Sequence, residues 1–265
     1  MIGNQARSVC SSVFVALVSH SAIAALPDAD TVMKNVLHRS QETALTGDSD
    51  KYSYQKHSIE EELDASGKPI KTTDKTYQVV PILGVPFSRL IKIQNRDLTE
   101  KETREQDKKE QEFRKKLAER QPAQIGATNK EGLDEQLISR FVFQVEGQET
   151  LHDRPVLILS FHPKPNNGRE KTVGDKVLAR LAGTLWVDEQ EWEIAQLKLG
   201  LTAELSLGWF GMVGSIKQFD LAIERARLPD GVWVDTKQTL ELGGRKVFST
   251  MHFRNVEEST NFRKP

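Results

Sequence analysis

Strict alternation of apolar and polar residues over positions 197–207 is the feature that most restricts what this chain can fold into. Every even position in this segment is polar or glycine, and every odd position is apolar: Leu197, Leu199, Leu201, Ala203, Leu205 and Leu207. Successive side chains of a β-strand point to opposite faces, so the segment predicts a strand with one dry face and one wet face. A sheet built from such strands must cover its apolar side.

Similar patterns fill the C-terminal half of the chain. Alternation recurs in three further segments, Phe141/Phe143/Val145, Phe219/Leu221/Ile223 and Val247/Met251/Phe253, and residues 156–161 form a more continuous apolar run. Turn signals separate these segments at Asp153-Arg154-Pro155, Asp188-Glu189-Gln190, Pro229-Asp230-Gly231 and Gly243-Gly244. The pattern predicts antiparallel strands joined by hairpins. Only a short helix at residues 175–181 interrupts them, so a doubly wound parallel sheet is disfavoured and the fold class is α+β, mainly antiparallel β.

The N-terminal half contains one amphipathic helix and a pair of strands. Apolar residues from Ala29 to Leu37 recur at helical spacing, and Gly47 closes this region. Residues 51–80 predict a strand, a turn at positions 64–68 and a returning strand. Residues 87–93 fit a short helix or a strand equally well, and positions 133–139 predict a further short helix.

Charged residues dominate positions 100–120, where fifteen of 21 side chains are acidic or basic. Thr99 and Glu102 form a capping box, and acidic residues precede basic ones by four positions along the segment, which predicts a long solvated helix. Only Phe113 and Leu117 could dock it. This charged helical insertion at about 99–132 is either a surface arm held by its own ion pairs or a helix that binds a partner.

The first 25 residues have the pattern of an export signal. Arg7 precedes a largely apolar stretch that ends in Ala22-Ile23-Ala24, a small-x-small pattern that a signal peptidase can cut. We therefore expect a signal peptide at residues 1–24, a single domain at 25–265 and a periplasmic location. Cleavage would remove Cys10, the one cysteine of the chain, so no disulfide framework is expected. No later stretch is apolar over a membrane-spanning length.

Composition and motifs argue against several functions. The 37 basic and 38 acidic residues leave a net charge of -1, which does not favour a nucleic acid partner. The scattered histidines form no HExxH motif, no serine lies in a G-x-S-x-G motif, and the glycines of residues 208–214 match no nucleotide-binding fingerprint. We expect no enzymatic activity, no cofactor and no metal site.

The predicted helices are too few to cover the apolar side of so large a sheet. Curling of the sheet, with the helices lying across its mouth, is the more economical arrangement. The enclosed interior is then either a packed core or a ligand cavity, and alternation alone leaves both alternatives open.

Several segments together resemble the outer-membrane lipoprotein-sorting (LolA/LolB-like) superfamily over residues 28–262. They are the export signal, the amphipathic first helix, Tyr52-Ser53-Tyr54, the strand Gly183-Thr184-Leu185-Trp186-Val187-Asp188, and the closing strands at Trp233 and Phe248. The resemblance implies a curved, unclosed β-barrel with a helical lid, whose apolar cavity takes acyl chains of lipoproteins or other lipids of the cell envelope. The charged insertion departs from the family pattern, which puts in doubt that this chain serves the same partners.

These observations lead to two hypotheses. The first is a periplasmic carrier of lipids or lipoproteins, with an envelope protein as a further partner; the second is a non-enzymatic envelope scaffold or sensor domain that binds a protein through the charged arm. For the carrier, the cavity wall candidates are Leu197, Leu199, Leu201, Leu205, Phe219, Leu221, Ile223, Val247, Met251 and Phe253. The mouth or lid candidates are Trp209, Phe210, Met212, Val32, Met33 and Val36, and the glycine-spaced aromatic pair is either a mobile lip or part of the core.

Overall fold

The computed structural model describes residues 26–119, 133–165, 170, 172–207, 214–246 and 249–264. The predicted signal peptide, Val247 and the candidates Trp209, Phe210 and Met212 lie outside these residues. The described helices are α1 (Ala29–Thr46), α2 (Glu100–Ala118), α3 (Glu135–Ile138) and α4 (Val173–Leu178), with a 3-10 turn at Ser49–Lys51. The described strands are β1 (Ser53–Leu63), β2 (Pro69–Ile82), β3 (Val85–Ile93), β4 (Arg96–Asp97), β5 (Phe141–Leu151), β6 (Arg154–Pro163), β7 (Leu181–Asp188), β8 (Ile194–Leu201), β9 (Leu205–Leu207), β10 (Gly214–Arg227), β11 (Trp233–Lys246) and β12 (Ser249–Arg263).

All twelve strands belong to one antiparallel sheet. The strand order is β4-β3-β2-β1-β12-β11-β10-β8-β7-β6-β5, and the short β9 pairs with β10 off this path. Among the described residues the outermost strands β4 and β5 do not pair with each other, so the sheet is not closed into a barrel. The predicted fold class, mainly antiparallel β with a few helices and an unclosed sheet, is confirmed.

Helix α1 packs on one face of this sheet, which we call the inner face. Val32, Met33 and Val36 are buried against side chains of β5, β6 and β7. The partners on those strands are Phe141, Leu157, Leu159, Phe161, Leu181, Leu185 and Val187. Alternate residues of each strand therefore form the main core, as the period-two pattern predicts.

Both ends of α1 are capped by local chemistry. The Asp28 carboxylate accepts a hydrogen bond from the Thr31 amide at 3.0 Å, which satisfies one of the free donors of the first turn. At the other end Gly47 has a left-handed φ of 56° and donates its amide to the Thr43 carbonyl. Glycine adopts this conformation without steric cost, so the helix ends where the sequence predicts.

Helix α2 packs on the opposite, outer face of the sheet, at the edge formed by β2 and β3. Leu117 is fully buried against Ile82, and the rings of Phe113 and Phe87 lie 5.0 Å apart. The predicted capping box of Thr99 and Glu102 is present. The two apolar residues that the sequence offered for docking are the ones used, and the helix covers part of an otherwise exposed sheet edge.

The structure resolves two points that the sequence left open or misplaced. Residues 87–93, compatible with a helix or a strand, form most of β3. Gly243 and Gly244, predicted as a turn, lie inside β11 instead. A Cβ atom on Gly244 would stand 2.2 Å from the Ser215 carbonyl oxygen, so this glycine permits a close approach of β11 to β10 and does not mark a chain reversal.

Candidate ligand-binding groove

An open groove of about 1100 Å³ lies between the C-terminal half of α1 and strands β10, β11, β12 and β1. Arg39 and Thr43 border it from the helix, while Lys56 and Glu257 belong to its sheet side. Tyr54, which stacks on Phe262 with ring centroids 5.0 Å apart, contributes an aromatic wall. The lining is largely polar, in contrast to the apolar core beside it.

Glu193 ties α1 to the sheet at one side of the groove. This carboxylate is only 5% exposed, and it accepts hydrogen bonds from Arg39 Nε at 2.9 Å and from Arg225 at 2.8 Å. Arg225 also contacts Asp235 at 3.1 Å. A carboxylate buried to this extent requires such partners, so the network fixes the C-terminal half of α1 over β8 and β10.

A second polar cluster joins the chain's C-terminal region to the turn between β10 and β11. Lys264 Nζ lies 2.5 Å from an Asp230 carboxylate oxygen, and the Tyr52 hydroxyl donates to the same oxygen. These hydrogen bonds, that from Lys264 first, lower the pKa of Asp230 to about 2. The Asp230 carboxylate thus stays ionised over the ordinary pH range, and its bonds to Lys264 and Tyr52 hold residues next to the groove in place.

Asp188 closes the turn after β7 and is fully buried. Burial raises its pKa, but Arg154, which donates to both carboxylate oxygens at 2.5 and 2.8 Å, and the amides of Gln190 and Glu191 outweigh that effect and lower it. Glu191 in turn accepts a hydrogen bond from the Trp233 indole at 2.7 Å. The turn beside the groove is therefore rigidly built.

The strand register places most predicted wall residues on the inner face. Three rows of directly paired residues cross it from β8 or β10 towards β2. They are Leu197-Ile223-Gln238-Glu257-Ser58-Lys75, Leu199-Leu221-Leu240-Asn255-Glu60-Thr73 and Phe219-Leu242-Phe253-Glu62-Lys71. Each row begins with apolar residues and ends with polar ones. The first polar residue is Gln238 on β11, Asn255 on β12 and Glu62 on β1, respectively.

The predicted wall residues divide into two groups by their surroundings. Leu197, Leu199, Leu201 and Phe219 pack against the core beneath α1, and Leu205 is fully buried. The others described are half-buried or more exposed: Leu221, Ile223, Phe253 and, at 43% exposure, Met251. None of these side chains lines the 1100 Å³ groove. The groove lies next to them, over the polar residues of the sheet.

The three mouth or lid candidates on α1 are buried and do not border the groove. Val32, Met33 and Val36 lie inside the main core, at most 3% exposed. The helix contributes to the groove instead through its C-terminal half, from Arg39 to Gly47. Sequence reasoning missed this half, because most of its groove-lining residues are polar and the two apolar ones, Ala44 and Leu45, are adjacent and form no periodic stripe.

Side chains of the metal-ligating types form no large cluster in the described part of the chain. No group of three or more His, Cys, Asp or Glu side chains among them could hold a metal ion. Two histidines pair with carboxylates across neighbouring strands, His57 with Asp74 at 2.9 Å and His252 with Glu241 at 2.7 Å. No helix in the described ranges is long and apolar enough to cross a membrane.

No protein-family model and no curated protein matches the chain. Among solved structures it is similar to an outer membrane lipoprotein-sorting protein domain from Vibrio parahaemolyticus (TM-score 0.35, 9% identity, 88% of this chain and 92% of that one). It is also similar to a LolA superfamily protein from Nitrosomonas europaea (TM-score 0.30, 12% identity, 88% and 93%). A third is the MucA/MucB complex of Pseudomonas aeruginosa (TM-score 0.24, 12% identity, 84% and 94%). The predicted resemblance to LolA-like proteins is confirmed among these structures, as a similarity of fold.

Proposed function

We propose that this chain is a non-enzymatic carrier of the periplasm that holds the acyl chains of a lipid or lipoprotein against the inner face of its sheet. Export would depend on the signal peptide at residues 1–24, with cleavage after Ala24. Its partners would be the acyl chains themselves and an envelope protein that supplies or receives them.

The observation that carries this proposal is an apolar surface that the fold leaves half-buried. Next to the core under α1, the inner face continues through five half-buried side chains: Leu221, Ile223, Leu240, Leu242 and Phe253. Burial of apolar surface contributes about 25 cal/mol per Å². An acyl chain laid along these residues would therefore gain affinity from area removed from water, without any chemical step.

Access to this surface supports the same proposal. The groove opens between α1 and the strands that carry Leu240 and Phe253, and it is roomy enough, at about 1100 Å³, to admit part of a lipid. A ligand site normally combines a predominantly apolar lining with a few placed polar groups. Here the apolar part would be the half-buried surface and the polar part the groove itself.

Lipid extraction and probe binding test the proposal. We expect lipid to be detected by mass spectrometry after the protein is purified from its native envelope, and a fluorescent fatty acid to bind and be displaced by unlabelled lipid. Leu240→Gln should weaken probe binding about tenfold or more, since it places an amide on the acyl surface. Thr239→Gln, one residue away on the outer face, is the matched control.

A protein that yields no lipid and binds no acyl probe would overturn the carrier proposal. Equal probe affinities in Leu240→Gln and Thr239→Gln, with both variants folded by circular dichroism, would show that the inner face is not the binding surface. Loss of a protein complex on replacing the outward charges of α2, without any lipid binding, would favour the scaffold alternative.

A further inference from the structure

We propose that the polar half of the inner face binds the zwitterionic head of a phospholipid, with the phosphate between Lys56 and Lys75 and the ammonium group beside Glu60 and Glu257. This inference rests on the proposed carrier function and adds to it the chemical class of the ligand. It assigns to the groove a selectivity that acyl contacts alone would not provide.

The register places the four charged residues in one patch. Lys56 on β1 pairs with Tyr77 on β2, and the next inner-face pair is Ser58 with Lys75, so the two lysines are diagonal neighbours. Ser58 also faces Glu257 on β12. Diagonal neighbours on one face lie within reach of long side chains, so both ammonium groups can converge on one phosphate.

The patch is sheltered but is not locked by its own ion pairs. The four side chains are between 23% and 40% exposed, and Lys56 to Glu257 and Lys75 to Glu60 approach only to 3.3 and 3.2 Å. Charge-assisted hydrogen bonds of full strength are shorter, at about 2.7–2.9 Å. The lysine donors can therefore turn to a ligand anion without the loss of a strong internal bond.

The balance of charge selects a zwitterion over a simple anion. A phosphate that drew both lysines away would leave Glu60 and Glu257 without a counter-charge in a half-buried site, which is unfavourable. An ammonium group two carbons from the phosphate supplies that counter-charge. The buried Ser58 hydroxyl, which donates to Asn255 at 3.1 Å, fixes the centre of the patch.

The charged patch lies next to the acyl surface, at the end of the same rows of paired residues. Rows that start at Leu197 and Leu199 reach the charged residues only after crossing β10 and β11, and neighbouring strands lie about 4.8 Å apart. A lipid lying across the strands would thus place its chains on the half-buried residues of β10 and β11 and on Phe253 of β12, and its head beside Glu257 of β12 and on β1 and β2. Lys56 and Glu257 also border the groove, through which the head would enter.

Displacement of a bound fluorescent fatty acid by three lipids with identical acyl chains tests the inference: phosphatidylethanolamine, phosphatidylglycerol and uncharged diacylglycerol. We expect phosphatidylethanolamine to displace the probe at about tenfold lower concentration than the other two, a difference typical of one or two charge-assisted hydrogen bonds. The double variant Lys56→Gln/Lys75→Gln should lose this advantage. Lys71→Gln, on the same face of β2 but more exposed, should retain it.

A complementary variant tests the role of the carboxylates. Glu60→Gln/Glu257→Gln should shift the preference from phosphatidylethanolamine to phosphatidylglycerol, since the lysines then face an anion without competition. Equal displacement by all three lipids in the unaltered protein would overturn the inference while leaving the carrier function intact. A preference for phosphatidylglycerol in the unaltered protein would also overturn it. Failure of the probe to bind at all would instead remove the carrier function, and this inference with it.

Discussion

Gly183 on β7 faces the adjacent strand β8 so closely that a side chain has no room. A Cβ atom there would lie 2.1 Å from the Lys198 carbonyl oxygen and 2.8 Å from the Leu199 Cα atom. Both neighbours are backbone atoms, so they cannot rotate away as the end of a flexible side chain could. The glycine lets β7 and β8 approach each other on the inner face beside the core.

Gly183→Ala should therefore lower the free energy of unfolding by about 1–3 kcal/mol, the usual cost of forcing extra volume into a packed site. Urea denaturation followed by circular dichroism measures the change. Gly147→Ala is the matched control, because a Cβ atom at this β5 glycine would meet nothing within 4 Å. A stability for Gly183→Ala equal to that of the control would contradict the close approach of the two strands.

Individual residues also show why the groove could not be predicted from the sequence. Arg39 and Glu193 are 154 positions apart, and each is an ordinary charged residue in its own segment. Lys56, Ser58 and Glu257 are polar residues in segments where most neighbours are polar and the few apolar ones, Ile59 and Val256, lie on the opposite face, so hydrophobic periodicity does not mark the inner face there. Only the register of β1 with β12 brings them together.

At the scale of elements, the segments with strong periodicity were predicted well. The alternation over residues 197–207 became β8 and β9, and the helical spacing before Gly47 became α1. Hydrophobic periodicity reports directly on which face of an element is buried, so it succeeded where that face packs in the core. The turn signal at Gly243-Gly244 was wrong, because glycine there permits close packing of β11 on β10 and does not mark a turn.

The docking of α2 shows both the reach and the limit of sequence reasoning. Its predicted N-terminal capping box is local and is present, as are two ion pairs at the predicted spacing of four residues, Glu100 with Arg104 and Glu110 with Arg114. The contacts of Arg89 on β3 with Asp107 and Glu110 depend on tertiary structure and had no local signal. The helix is thus tied to the sheet by ion pairs as well as by Phe113 and Leu117, more firmly than a free arm.

The N-terminus of α2 provides a prediction about pH. Hydrogen bonds from Arg96 first, and then from the Thr99 amide and hydroxyl, lower the pKa of Glu102 from 4.5 to about 2. A carboxyl whose pKa is lower in the folded state stabilises the fold while it is ionised. That contribution is complete above about pH 4.5 and disappears as the pH falls towards 2.

Glu102→Gln should accordingly be less stable than the unaltered protein at neutral pH, and the difference should shrink steadily below pH 4.5. Urea unfolding at a series of pH values measures it. Glu100→Gln, whose side chain is 93% exposed, is the control and should show little difference at any pH. A stability difference for Glu102→Gln that stays constant down to pH 2 would refute the assignment.

At the scale of the whole molecule, α1 connects the packed half of the inner face to the open half. Its N-terminal half, with Val32, Met33 and Val36, is part of the core, while its C-terminal half borders the groove. The two halves are held by different forces, burial of apolar area in the first and the Arg39 to Glu193 hydrogen bond in the second. Helix α1 therefore covers the unclosed sheet with one end that is packed in the core and another end that is held by polar contacts.

Arg39→Met should weaken the attachment of only the C-terminal half of α1 to the sheet. Glu193 would keep Arg225 at 2.8 Å, so the fold should persist, while the C-terminal half of α1 loses its link to the sheet. Amide hydrogen exchange should then become faster between Arg39 and Gly47 and stay slow around Val32 and Val36, because local opening follows the contacts that hold each segment. If the groove is the entry path for acyl chains, the association rate of a fluorescent fatty acid should rise in the same variant.

Glu42→Gln is the matched control for this experiment. Glu42 also lies on the groove side of α1, but its contacts with His38 and Arg39 are 3.6 and 3.8 Å long, and its side chain is 53% exposed. Its replacement should leave both the exchange pattern and the association rate unchanged, since long exposed ion pairs contribute little. Uniformly faster exchange along the whole of α1 in Arg39→Met would mean that the helix opens as one unit, and the division of the cover into two independently held ends would be wrong.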